Sequence, residues 1–140
     1  MYISYLEVSQ VRNLKSLKTD CHPLANIIYG VNGSGKTSLL EAIYLLGRGR
    51  SFRHRDLRLV VNHQAEELIV SAKIEKGMPA KVHQMGVRRT SSGKFAARFD
   101  GKTLQSSVQL ASELPLQLID AHSFNPVSYT HLTLPTTPYV

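Results

Sequence analysis

The sequence predicts an α/β fold in which an antiparallel β meander lies beside a helix that follows a glycine-rich loop. Three observations carry this prediction: apolar residues alternate over much of the chain, one segment has helical spacing, and three glycines lie close together just before it. The chain has 140 residues, about the length of one domain, and 42% of them are hydrophobic. That fraction is sufficient for one packed core and too high for a disordered chain.

The first strands are predicted from a two-residue periodicity. Residues 2–8 alternate in character, which predicts an opening strand, and residues 14–19 can pair back on it across Arg12 and Asn13. Residues 26–29 (Asn-Ile-Ile-Tyr) form a short apolar run that ends at Gly30. This run predicts a short buried strand.

A helix is predicted from Thr37 onward. Leu39, Ala42, Ile43 and Leu46 recur at i, i+3, i+4 and i+7, which is the spacing of one helix face. Gly47 follows and predicts a left-handed stop, because glycine adopts that conformation without steric cost. We expect a helix of about three turns.

A meander is predicted over residues 68–104. Residues 68–75 and 94–99 alternate between apolar and polar side chains, and Asp100-Gly101 is typical of a two-residue hairpin turn. We expect a short helix over residues 106–112 and a strand over residues 116–119 after the meander.

The composition changes sharply near Asn125. Residues 126–140 contain no Lys, Arg, Asp or Glu and hold three of the six prolines. We therefore expect two units, a folded lobe over residues 1–125 and a tail of low charge, rich in proline and threonine, over residues 126–140.

The chain is basic, with 17 Lys and Arg against 10 Asp and Glu and a net charge of +7. This balance favours a polyanionic partner and argues against an acidic binding protein. Residues 48–58 hold five arginines and one aspartate, and residues 73–102 hold eight basic and two acidic side chains. The first group supplies the candidates for contact with nucleic-acid phosphates or with a nucleotide: Arg48, Arg50, Arg53 and Arg55. The alternatives are a solvated loop with Phe52 in the core, and a basic meander that only aids solubility.

Several classes of protein are excluded by what the sequence lacks. One cysteine, Cys21, allows neither an intramolecular disulfide framework nor a zinc site with several cysteines. The longest apolar run, over residues 39–46, is shorter than the roughly 18 residues of a membrane span, and residues 1–7 do not resemble a secretory signal. We expect a cytoplasmic protein in a reducing setting, with no membrane partner.

One motif indicates chemistry directly. Eight consecutive residues match the phosphate-binding loop G-x-x-x-x-G-K-[ST]: Gly30, Val31, Asn32, Gly33, Ser34, Gly35, Lys36 and Thr37. Glycines let successive N–H groups converge on phosphate oxygens, the lysine adds a point charge at the β- and γ-phosphates, and the threonine hydroxyl is a ligand for Mg²⁺. The predicted strand before the loop and the helix after it are the context that this motif requires. The sequence therefore predicts a site for a nucleotide and Mg²⁺.

Residues for hydrolysis are harder to find. Only residues 116–120 form an apolar run that ends in an acid, Asp120, and Gln117 interrupts it. Asp120 is either a magnesium-organising Walker B residue or the solvated end of an ordinary strand, and the second interpretation is favoured. No Asn-Lys-x-Asp sequence is present, which argues against a GTPase.

Three blocks in fixed order carry a family resemblance. They are residues 11–14 (Val-Arg-Asn-Leu), residues 30–44 (the loop followed by Ser-Leu-Leu-Glu-Ala-Ile-Tyr) and residues 49–53 (Gly-Arg-Ser-Phe-Arg). Over residues 1–125 the chain resembles the N-terminal part of the RecF family of bacterial DNA replication and repair proteins. Val11 departs from the family, which usually has phenylalanine there, and this affects a packing contact.

The resemblance implies the first lobe of an ABC-type ATPase head, a P-loop NTPase lobe with an antiparallel β meander, truncated before the second lobe. It further implies ATP and Mg²⁺ as cofactors and an ATP-dependent homodimer of the full-length protein. DNA is the implied partner, at gaps and at junctions of single and double strands, together with recombination-mediator proteins and a recombinase. By similarity, Arg12 and Asn13 lie near the nucleotide phosphates, and Gln117 is a candidate for the glutamine beside Mg²⁺.

The sequence also departs from the family pattern. The family continues with a signature motif, a Walker B aspartate and a catalytic glutamate, which we do not find here. Residues 126–137 resemble translated vector or adapter sequence, so we expect a shortened reading frame with a foreign tail. We expect the chain to bind ATP without turnover. Two alternatives remain open: a small self-contained P-loop kinase that uses Asp120, and a basic DNA-binding module with a vestigial nucleotide site.

Overall fold

The computed structural model describes residues 1–119 as one antiparallel sheet with a long helix packed on one face. The strands are β1 (Tyr2–Val11), β2 (Leu14–Asp20), β3 (Glu67–Lys76), β4 (Lys81–Thr90), β5 (Phe95–Phe99) and β6 (Lys102–Thr103). The helices are α1 (Lys36–Arg48), a 3₁₀ turn (Leu57–Leu59) and α2 (Ser107–Glu113). Within this part of the chain, no helix is long and apolar enough to cross a bilayer.

The strands lie in the order β2-β1-β3-β4-β5-β6, and every neighbouring pair is antiparallel. The predicted hairpin across Arg12 and Asn13 is confirmed, since Val11 pairs with Leu14 and Leu6 with Thr19. The predicted meander is confirmed as well, and it consists of β3 to β6.

The alternation of side chains gives the sheet one buried and one solvated face. Val8 pairs with Val70, and Val70 with Val87, so a row of fully or almost fully buried valines crosses three strands. The opposite face carries charged residues such as Lys73 and Arg98. Helix α1 covers the buried face with a set of core residues: Ala42, Leu45 and Leu46.

The end of α1 differs from the predicted one. The helix continues through Gly47, and the left-handed cap is Gly49, with φ 70° and its N–H donating to the Leu45 carbonyl. Gly47 is instead a close-packing position. A Cβ there would lie 2.8 Å from the Leu114 carbonyl oxygen and still closer to the side chain of Leu116, so only glycine fits.

Two predicted strands are wrong. Residues 26–29 form no strand, and Ile27 and Tyr29 are 86% and 88% exposed. Residues 116–119 form no strand either. The physical reason is the same for both: a strand needs a neighbour for its backbone groups, and within residues 1–119 no other strand lies beside either segment.

The remaining local predictions are confirmed. Asp100 and Gly101 both have positive φ, 50° and 81°, and join β5 to β6 as the two central residues of a tight hairpin. Ser106 caps α2 through its side chain, which accepts the Gln109 N–H. The predicted boundary at Asn125, the tail and Asp120 lie outside the described residues.

Candidate nucleotide-binding site

The phosphate-binding loop leads directly into the N-terminus of α1. Gly33 and Gly35 have φ of 86° and 103°, a region that side chains with a Cβ rarely adopt. A Cβ on Gly33 would meet no atom within 4 Å, so the constraint there is backbone conformation and not crowding. The two glycines give the loop its left-handed turns, which is how such loops direct their N–H groups to one point.

The start of α1 is open to an anion. Gly35 is the N-cap and contributes no side-chain hydrogen bond to the first turn, so the leading N–H groups keep no capping partner among the described side chains. Thr37 is exposed in this first turn, and the Lys36 ammonium donates to the Gly30 carbonyl across the loop. Free N–H groups, the helix dipole and a lysine together form a site that fits phosphate.

Asn13 joins the turn between β1 and β2 to this loop. Its side-chain amide donates to the Gly33 carbonyl at 2.9 Å, and its Oδ1 accepts the Ser38 hydroxyl at 2.8 Å. Ser38 is 4% exposed and lies in the first turn of α1. The structure therefore places Asn13 in contact with the phosphate-binding loop.

Arg12 is directed to a carboxylate. Its guanidinium forms a fork with Glu41 of α1: Nε donates to Oε1, and Nη2 donates to Oε2 at 3.1 Å. The Glu41 side chain is fully buried, whereas that of Arg12 is 18% exposed. A buried carboxylate needs such a partner, because an unpaired charge in the interior is costly.

The main chain of Arg12 is also held by hydrogen bonds. The residue has φ 50°, its N–H donates to the Val60 carbonyl at 2.8 Å, and its carbonyl accepts the Asn62 amide at 2.6 Å. Asn62 is 5% exposed. The hairpin turn is thus held between α1 and the segment that precedes β3.

The arginine segment, residues 48–58, begins at the other end of α1. Arg48 is used within the fold, since its Nη2 donates to the Leu116 carbonyl at 2.6 Å. The other candidates are exposed: Arg50, Arg53 and Arg55. Phe52 is half-buried and packs edge-on against Tyr44, with ring centroids 5.5 Å apart.

Asp56 is the one acid in this segment. Asp56 caps the 3₁₀ turn by accepting the Arg58 N–H at 3.0 Å, and it also accepts the Arg58 guanidinium at 2.8 Å. The side-chain hydrogen bond from Arg58, followed by the backbone one, lowers the pKa of Asp56 from 3.8 to about 2.

Two further candidates follow α2 in the sequence. Gln117 is exposed on the segment after α2, and Asp120 lies outside the described residues. Conversely, three residues that organise the site were not predicted from the sequence: Ser38, Glu41 and Asn62. For Glu41 a signal existed, because it occupies the buried face of α1 between Ser38 and Ala42, and an acid in such a place implies a buried partner.

The chain is similar to a known protein family and to known sequences. The model of the RecF/RecN/SMC N terminal domain matches residues 2–124. The chain is 46% identical over 123 residues to the DNA replication and repair protein RecF of Saccharophagus degradans, covering 88% of this chain and 33% of that protein. It is 44% identical over 124 residues to RecF of Azotobacter vinelandii, covering 89% and 34%. The chain thus spans about a third of the length of the curated relatives it matches.

Solved structures give the same result. A structure of the recombination mediator protein RecF with ATP in the RecFOR pathway superposes with a TM-score of 0.79 and 27% identity, covering 88% of this chain and 33% of that one. A structure from work on ATP-driven dimerization and DNA-stimulated activation of SMC ATPases has a TM-score of 0.72 and 18% identity, covering 96% and 92%. The predicted fold class, the first lobe of an ATPase head with an antiparallel meander, is confirmed.

Proposed function

This chain belongs to the family of the RecF/RecN/SMC N-terminal domain, and from that premise we propose that it is the ATP-binding part of a RecF-like DNA replication and repair protein. The observation that carries this proposal is the open N-terminus of α1, which follows the complete phosphate-binding loop and has no side-chain cap. The similarity to a RecF structure with ATP supports the same conclusion.

The proposed nucleotide contacts follow from the loop. The N–H groups of Gly33 to Thr37 bind the phosphate oxygens, and Lys36 exchanges its hydrogen bond with the Gly30 carbonyl for the β- and γ-phosphates. The exposed Thr37 hydroxyl is the protein ligand for Mg²⁺. Within residues 1–119 no cluster of three acids, histidines or cysteines is placed to hold a metal, which suits an ion bound mainly by phosphates and water.

DNA is the proposed macromolecular partner. The exposed Arg50, Arg53 and Arg55 supply positive charge on the segment that follows α1, and arginine forks suit phosphate groups. We extend the proposal to gaps and junctions of single and double strands, to recombination-mediator proteins and a recombinase, and to an ATP-dependent homodimer of the full-length protein. The recombination mediator RecF in the RecFOR pathway supports this extension. A role on chromosomal DNA implies a cytoplasmic location.

We expect this chain to bind ATP without appreciable turnover. Glu41 is the one acid of α1, and its two carboxylate oxygens are occupied by Arg12 and Ser51. A buried, doubly engaged carboxylate is a poor base for activating water.

A nucleotide titration tests the proposal. Calorimetry with Mg-ATP and Mg-ADP should detect binding, and Lys36→Ala should weaken it about 10- to 100-fold, the value of one charge-assisted contact. Lys94→Ala, an exposed lysine in the turn between β4 and β5, is the matched control and should bind normally. Steady phosphate release at roughly one per second or faster, abolished by Asp120→Asn, would contradict the proposal and favour the kinase.

A further inference from the structure

We propose that Glu41 is a positioning residue that couples the phosphate-binding loop to the arginine segment, residues 48–58. This inference rests on the proposed function, since it requires a nucleotide in the loop. What it adds is a route by which occupancy of the loop changes the order of the exposed surface that carries Arg53 and Arg55.

The route begins with the two partners of one buried carboxylate. Glu41 is 0% exposed, and its oxygens accept hydrogen bonds from the Arg12 guanidinium and from the Ser51 hydroxyl. Arg12 and Ser51 belong to segments that are distant in sequence, and Glu41 is the side chain that both of them contact. A fully buried charge restricts the positions of both partners, because the loss of either hydrogen bond leaves the charge poorly compensated.

On the loop side, the connection runs through neighbouring residues. Asn13 contacts both the Gly33 carbonyl and Ser38, and it is adjacent in sequence to Arg12. A phosphate in the loop acts on the Gly33 peptide, through its hydrogen bond on the Asn13 side chain, and through the shared turn on Arg12. Any shift of Arg12 then moves the Glu41 carboxylate, because two hydrogen bonds join the two side chains.

On the other side, Ser51 organises a turn. Its hydroxyl oxygen accepts the N–H groups of Arg53 at 2.9 Å and of His54 at 3.2 Å while it donates to Glu41. These two hydrogen bonds fix the backbone at Arg53 and His54, directly before Arg55. The conformation of the segment therefore depends on where Glu41 holds the Ser51 hydroxyl.

Hydrogen exchange provides the test. In the full chain, saturating Mg-ADP or Mg-ATP should change the exchange rates of the Arg53 and His54 amides by at least about fivefold, the lower end of typical coupling. Ser51→Ala removes the link but leaves the Arg12–Glu41 fork in place. It should abolish the nucleotide-dependent change while the nucleotide affinity stays within about twofold of the original.

Two variants control for local disruption. Ser51→Thr keeps the hydroxyl and should retain the nucleotide-dependent change, and Ser91→Ala removes an exposed hydroxyl outside the route and should have no effect. Nucleotide binding with no change in these amides, or with the same change in Ser51→Ala, would overturn the coupling and leave the proposed function intact. If calorimetry detects no nucleotide binding, the proposed function itself fails, and the coupling fails with it.

Discussion

The Ser38 hydroxyl and the Asn13 side chain share a hydrogen bond of 2.8 Å between the first turn of α1 and the turn of the first hairpin. Asn13 also reaches the Gly33 carbonyl at 2.9 Å, so the hairpin turn forms one wall of the phosphate-binding loop. The nucleotide site is therefore built from two segments, and the stability of the hairpin turn and the shape of the loop depend on one another.

The Arg12–Glu41 fork gives the first prediction. Arg12→Ala leaves the fully buried Glu41 without its cation, and the free energy of unfolding should fall by about 3–5 kcal/mol. Urea unfolding at pH 7 measures the change. Lys18→Ala removes the cation of an exposed pair with Glu7 and should have a far smaller effect. Equal effects of the two substitutions would show that the buried fork has no special role.

The charge of Asp56 gives a pH dependence. Its pKa is lower in the folded chain, about 2, than the ordinary 3.8, so its stabilising effect is complete above pH 3.8 and is lost as the pH falls through 2. Asp56→Asn keeps an oxygen to cap the 3₁₀ turn but removes the charge. The urea midpoint of the unmodified chain should exceed that of Asp56→Asn above pH 3.8, and the two should converge towards pH 2. Because the pair is exposed, added salt should reduce the difference; a gap that widens in acid would contradict the assignment.

The arginine segment gives a prediction about DNA. Each phosphate contact contributes about 0.9 to the slope of log affinity against log salt for duplex DNA. Replacing Arg50, Arg53 and Arg55 together should flatten this slope by about two to three units if all three touch phosphate. The same measurement on a triple variant of three exposed lysines of the meander, Lys81, Lys94 and Lys102, is the control for net charge. Equal slopes for the arginine variant and the unmodified chain would assign the segment to the nucleotide or to solvent.

The tail, residues 126–140, gives a prediction from composition alone. It carries no Lys, Arg, Asp or Glu, and three prolines interrupt any helix or central strand, so a chain that ends at Asn125 should fold and bind nucleotide normally. Thermal melting and nucleotide titration of the two chains measure this. A melting temperature lower by more than about 8 °C in the shorter chain, beyond the shift from losing ~1 kcal/mol, would make the tail a structural element.

The sequence predicted the elements whose cause is local. The hairpin β1–β2, the start of α1 and the turn at Asp100-Gly101 follow from alternation, helical spacing and a residue pair that tolerates positive φ. The failures concern residues whose state depends on distant partners. Residues 26–29 have the composition of a buried strand, but a strand requires a neighbour that periodicity cannot reveal.

The roles of some glycines and charged residues also depend on partners that are distant in sequence. The sequence predicts Gly47 as the cap of α1, but the cap is Gly49, and Gly47 is a packing position whose space is filled by Leu114 and Leu116. Lys36 and Thr37 could be identified from the motif, whereas the partners of Glu41 could not, because Arg12 and Ser51 reach it only through the tertiary fold.

The strand order has a consequence for the kinetics of folding. Each sheet contact joins strands that follow one another directly through a short turn, apart from that between β1 and β3, which encloses β2, the phosphate-binding loop, α1 and the arginine segment. Closing so long a stretch of chain costs more entropy than closing a turn, and long-range pairings of this kind slow folding. A growing chain can form its first hairpin early, but it can complete the central sheet only after residues 67–76 have been synthesised. The phosphate-binding loop lies within the stretch of chain that this one pairing closes.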